Sequence, residues 1–198
     1  VIAIAKKKKK SSGALVLIIL LVCLAIGVTT VFILAMPSQP NPADVIADHA
    51  AIDLYELLDE VLAVDLDEDY PQTPEEVMRL FSHTFRLIHG WDRNDQYVIS
   101  RVLEVQRGLF AQALLDLNPF HQQLSLILIA LDELYDRDLE IVGVYQGSPV
   151  FHRFSPNDRT SVTVILHVSN GQNFQYIYQL FREAESGRWQ IGMWEEVV

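Results

Sequence analysis

Residues 160–197 read TSVTVILHVSNGQNFQYIYQLFREAESGRWQIGMWEEV, and their period of two decides the fold class. Alternate side chains of a strand point to opposite faces, so Phe174, Tyr176, Tyr178 and Leu180 line one face of a strand over 173–183. Asn170 and Gly171 separate it from a strand over 160–169, and this dipeptide readily takes the positive φ values of a tight hairpin turn. Glu185, Ser186 and Gly187 make the next turn. In the strand over 188–197 that follows, Trp189, Ile191 and Met193 alternate with Gln190 and Gly192. Two further short strands are expected just upstream, over 139–146 and 150–154, separated by Gly147, Ser148 and Pro149.

Upstream of these strands the period changes to that of helices. Residues 120–135 carry the run LSLILIAL, which suits a helix buried on several sides. Val98, Val102, Val105, Leu109, Ala113 and Leu117 align as one stripe, so a single helix is expected over 95–117, broken by Asn118 and Pro119. A helix over 73–89 has a capped start. Thr73 is placed to accept from free amides, Pro74 loses nothing in the first turn, and Glu76 is placed to reach back. Residues 44–64 form an amphipathic helix through Ala50, Leu54, Leu57, Leu58, Val61 and Leu62. Helices first and a mostly antiparallel sheet after them make an α+β protein.

The amino-terminal part is of another kind. ALVLIILLVCLAIGVTTVFILAM, residues 14–36, is uncharged, and as a helix rising ~1.5 Å per residue it crosses a ~30 Å hydrocarbon core. Lys6, Lys7, Lys8, Lys9 and Lys10 abut it, and no basic residue recurs before Arg79, so the amino terminus is expected in the cytoplasm and the rest outside. A cleaved signal peptide has a shorter apolar core and a small-x-small site, which Ile33 and Ala35 match poorly. The expected organisation is a basic cytoplasmic tail over 1–13, a transmembrane helix over 14–36, an acidic linker and stalk helix over 37–70, and an extracytoplasmic α+β domain over 71–198. PSQPNP, at 37–42, ends the span. Because the chain opens on Val1, a non-standard initiation codon or a sequence truncated at its start is expected.

Charge excludes one class of partner. From Pro37 onward ten arginines stand against all 26 acidic residues, a net charge of -16 that repels nucleic-acid phosphates. The single cysteine, Cys23, lies in the apolar run, so neither an internal disulfide framework nor a cysteine-based zinc site is available.

Three stretches carry a family resemblance: the lysine cluster with its span, DLDEDYPQTPEEVMRLF at 65–81, and YQLFREAESGRWQIGMWE at 178–195. Together they resemble, over most of the chain, an uncharacterised family of single-pass bacterial proteins, mainly of Firmicutes. The last stretch is similar to the closing hairpin of NTF2-like domains. That resemblance implies an NTF2-like or cystatin-like cone of helices packed into a curved sheet, and it carries over no functional residue.

Candidate chemistry is sparse. If the sheet is a cone, His167, Tyr176 and Tyr178 are the polar residues expected at its mouth, though aromatics at this spacing more commonly fill a core. Asp65, Asp67, Asp69 and Glu76 occupy positions 1, 3, 5 and 12 of a calcium loop. Tyr70 stands where that loop needs glycine, so metal binding is only a weak alternative to a helix cap. The six histidines, His49, His83, His89, His121, His152 and His167, form no ligand motif, and Glu140 and Asp158 are the only acids between Leu139 and Phe181. No nucleophile elbow or phosphate loop occurs. The expected protein is a noncatalytic, membrane-tethered binding or assembly module without a cofactor. Its partners are the lipid bilayer and envelope proteins or its own copies. The alternative is a small-ligand-binding or enzymatic domain that uses the cone.

Overall fold

A computed structural model describes residues 53–151 and 158–197. The expected span, the lysine cluster, Cys23, His49 and His152 lie outside those residues. Among the described residues no helix is long and apolar enough to cross a membrane.

Among the described residues five helices precede the sheet: α1 (Leu54–Leu62), α2 (Pro74–Gly90), α3 (Gln96–Arg107), α4 (Gln112–Leu117) and α5 (Phe120–Asp136). Five strands follow: β1 (Ile141–Gln146), β2 (Val150–Phe151), β3 (Arg159–Val168), β4 (Asn173–Arg182) and β5 (Trp189–Val197). All pair antiparallel, in the order β1-β3-β4-β5, with β2 also on β3. This is the α+β order read from the sequence.

The start of α2 shows how local chemistry sets an element. Thr73 Oγ1 accepts from the Glu76 amide at 3.2 Å, and Glu76 Oε2 accepts from the amides of Thr73 at 3.1 Å and Gln72 at 2.8 Å. Three free donors of the first turn are thereby satisfied. The helix then buries Val77, Met78, Leu80, Phe81, Thr84, Leu87 and Ile88 against the sheet and α3.

Three expectations need correction. The stripe over 95–117 is two helices, because residues 109–111 leave the helix to pair with the sheet. Ile191 donates to the Leu109 carbonyl and accepts from the Ala111 amide, each at 2.9 Å. A sheet edge that needs partners outweighs a continuous helical stripe. The stretch expected as linker and stalk belongs to the packed domain from Leu54 onward, since Leu57 and Val61 are fully buried in the common core. Finally, the Asn170-Gly171 turn is a three-residue loop over 169–171. Only Gly171 takes a positive φ, 83°, and Val168 closes the loop by donating to the Gln172 carbonyl at 2.9 Å.

Candidate interaction face

Register determines which side chains of the sheet meet the helices. Val164 pairs with Tyr176, Val162 with Tyr178, and Leu180 with Ile191, all on the helix-covered face. Each of these six residues is buried. The Phe81 ring of α2 lies 4.8 Å from Tyr178, which stacks on Trp194 at 6.0 Å, and Trp194 in turn lies 6.0 Å from Phe110. Helix side chains therefore cover this face, and Tyr176 and Tyr178 are core residues.

His167 does not join them. It pairs with Asn173, on the opposite face of the sheet, where its ring meets the edge of Tyr145 at 5.8 Å. Its Nδ1 is buried without a hydrogen-bond partner among the described residues. The residue sits at an odd position of β3, whereas the inward line of that strand falls on even positions. The signal lay in β3 itself, where Val162, Val164, Leu166 and Val168 mark the inward line and leave His167 on the other face.

A second shift comes from Gly192. Leu180 pairs with Ile191 but Gln179 pairs with Met193, so Gly192 is the extra residue of a bulge. The alternation read for β5 flips there: Met193, expected beside Trp189 and Ile191, turns out to solvent at 43% exposure, and Trp194 turns in. Glycine is required at the bulge because a Cβ would stand 2.5 Å from the Phe181 ring.

The face left uncovered by the described helices presents Tyr145, Thr163, Ile165, His167, Gln175, Ile177, Gln179, Phe181 and Met193. Its charged groups on the paired strands are Arg159 and Glu195 alone. Arg159 lies over the Phe181 ring, 5.1 Å from its centre, and donates to Gln179 Oε1 through Nη2. Its Nε is buried without a hydrogen-bond partner among the described residues. An almost neutral face rich in amide, aromatic and aliphatic groups is unusual in a part of the chain with net charge -16.

The acidic loop places its groups elsewhere. Asp65 Oδ1 accepts from the amides of Asp67 at 2.8 Å and Glu68 at 3.3 Å, while Glu76 is engaged in the capping box. The main-chain bonds hold the Glu76 carboxyl below its ordinary pKa. Among the described residues no group of three or more His, Cys, Asp or Glu is placed to hold a metal, so Asp65, Asp67, Asp69 and Glu76 are not gathered into a calcium site. An open groove of about 410 Å³ runs between α1, this loop and α2, bordered by Glu60, Glu68, Asp69, Glu76, Arg79 and His83. His83 Nδ1 stands 3.9 Å from Glu60. Glu140 and Asp158 precede β1 and β3 and occupy no inward strand position.

No curated protein and no solved structure matches the chain. A family model described as a domain of unknown function, DUF6715, matches residues 5–194, nearly the whole length. The match runs from the lysine cluster through the helices to the last strand, and the chain belongs to the DUF6715 family of domains of unknown function.

Proposed function

We propose that the protein is a noncatalytic binding or assembly module, held at the membrane by residues 14–36 with the lysine cluster in the cytoplasm and the α+β domain outside. The observation that carries the reading is the contrast between the two faces of the sheet. The covered face is packed with Phe81, Tyr176, Tyr178 and Trp194. The uncovered face exposes Met193 and partly exposes Ile165, Ile177 and Phe181 with almost no charge. Aromatic, methionine and amide groups that lack charge are the composition of contact surfaces. On this reading the span fixes where the domain works, and the sheet meets a protein of the envelope or another copy.

The test uses the full chain with Cys23→Ser and a single new cysteine at Tyr97, which is 73% exposed on α3. In intact cells a membrane-impermeant maleimide is expected to label position 97. A photo-crosslinking residue at Ile177 is expected to capture a protein at the same time. Labelling only after lysis would overturn the topology, and loss of all capture at Ile177 would overturn the role of the sheet.

A further inference from the structure

We infer that the occupant of the open sheet face is a second copy of this chain, related by a two-fold axis passing near Gln179. The inference rests on the binding reading above and names the partner. Its first ground is charge. Two bodies each carrying a net -16 repel wherever carboxylates face one another, and this sheet face holds a single carboxylate on its paired strands. It is therefore where two copies approach at least electrostatic cost.

The second ground is that the face complements itself. Arg159, at the start of β3, and Glu195, on β5, lie on either side of Gln179. Arg159 pairs with Phe181 and Glu195 with Ile177, and Gln179 stands between those two on β4. A two-fold axis lying between two facing sheets at Gln179 brings Arg159 of each copy opposite Glu195 of the other. Arg159 then meets Glu195 of the other copy and Glu195 meets its Arg159, the reciprocal pairing an isologous interface requires.

The third ground is size. Four strands ~4.8 Å apart, three of nine or ten residues and β1 of six, offer roughly 500 Å² per copy. A stable interface buries about 800 Å² from each partner, so association in dilute solution is weak. Tethering in one bilayer raises the effective concentration into the millimolar range, where an interface of this size is occupied.

The experiment uses the full chain with Cys23→Ser, reconstituted in phosphatidylcholine vesicles and treated with a short bismaleimide, because facing sheets stand ~10 Å apart, beyond the reach of a direct disulfide. Gln179→Cys is expected to form crosslinked dimers at least tenfold faster than Tyr97→Cys, which lies on the helix side. Met193→Cys is a second reporter, on the neighbouring strand, should Gln179→Cys fail to fold. Arg159→Glu or Glu195→Arg alone is expected to slow the Gln179→Cys crosslink severalfold, and the two together to restore it. Equal rates at positions 97 and 179, or crosslinking indifferent to charge reversal, would overturn the inference. Capture of a different protein at Ile177 in cells, without the Gln179→Cys dimer, would remove the second copy and leave the binding role standing.

Discussion

The Tyr70 hydroxyl donates to the main-chain carbonyl of Trp189 at 2.7 Å, joining residues 119 apart in the chain. The bond fastens the acidic loop to the first residue of β5, and the Arg188 guanidinium covers the same ring at 4.7 Å. Arg188 also donates to the Asp67 carbonyl at 3.1 Å. A tyrosine at the place where a calcium loop turns on glycine thus has its own structural purpose. It closes the helix layer over the end of the sheet.

Tyr70→Phe is expected to cost about 1–2 kcal/mol, because the Trp189 carbonyl loses its donor in a buried place. Burial also pushes the Tyr70 hydroxyl up to about 12 from its ordinary 10.0. Above pH 10 the unfolded chain releases this proton before the folded one does, so stability is lost as pH rises between those values. Urea melts at pH 8 and pH 11 check both effects. Tyr70→Phe should be less stable at pH 8 and should show a shallower alkaline loss.

His89 gives the opposite dependence. Its ring packs on Phe85 at 4.2 Å, its Nδ1 is buried without a partner among the described residues, and burial pushes its pKa down from 6.5 to about 4. A depressed histidine pKa means that the unfolded state binds the proton first, so stability falls as pH drops from 6.5 toward 4. At pH 5 the loss is on the order of 2 kcal/mol. His89→Phe should flatten this acid limb in denaturant titrations at pH 7 and pH 5. An unchanged limb would show that other groups cause it.

Thr73→Ala is expected to cost about 1 kcal/mol by removing one half of the capping box. In the same structure Asp65 and Glu76 are held by main-chain amides, so the acidic loop does not depend on a cation for its shape. Millimolar calcium is therefore expected to leave the melting temperature of both the parent and Thr73→Ala unchanged. A rise of several degrees would restore the calcium loop as a working site.

How far the sequence could be read depended on the range of the interaction concerned. The cap at Thr73, the helix over 120–136 and the strand limits follow from neighbours within a few residues, and these agree with the fold. The break at residues 108–111 does not, because its cause is Ile191, some eighty positions away. The orientation of Met193 was equally hidden, because it depends on a bulge opposite Gln179. Of the candidate pocket, Tyr176 and Tyr178 were legible as a pair because they lie on one strand two residues apart. His167 was legible as outward too, since it alternates with the apolar line of Val162, Val164, Leu166 and Val168.

Two neighbours on β4 put the reading of the two faces to a direct test. Tyr178 is 4% exposed and touches Phe81 and Trp194, whereas Ile177 projects to the uncovered side. If Tyr178 is core, Tyr178→Ala leaves a cavity that the surrounding rings cannot close, and about 3–5 kcal/mol is lost. If it lined an open pocket, truncation would remove little packing and cost well under that. Ile177→Asp, one residue away, is expected to cost less than about 1 kcal/mol in a dilute sample, since no core contact is lost. The same change should abolish whatever crosslinking the sheet face supports at the membrane. A large loss at 178 with little loss at 177, and the reverse order for association, would separate the part of the sheet that holds the protein together from the part that meets a partner.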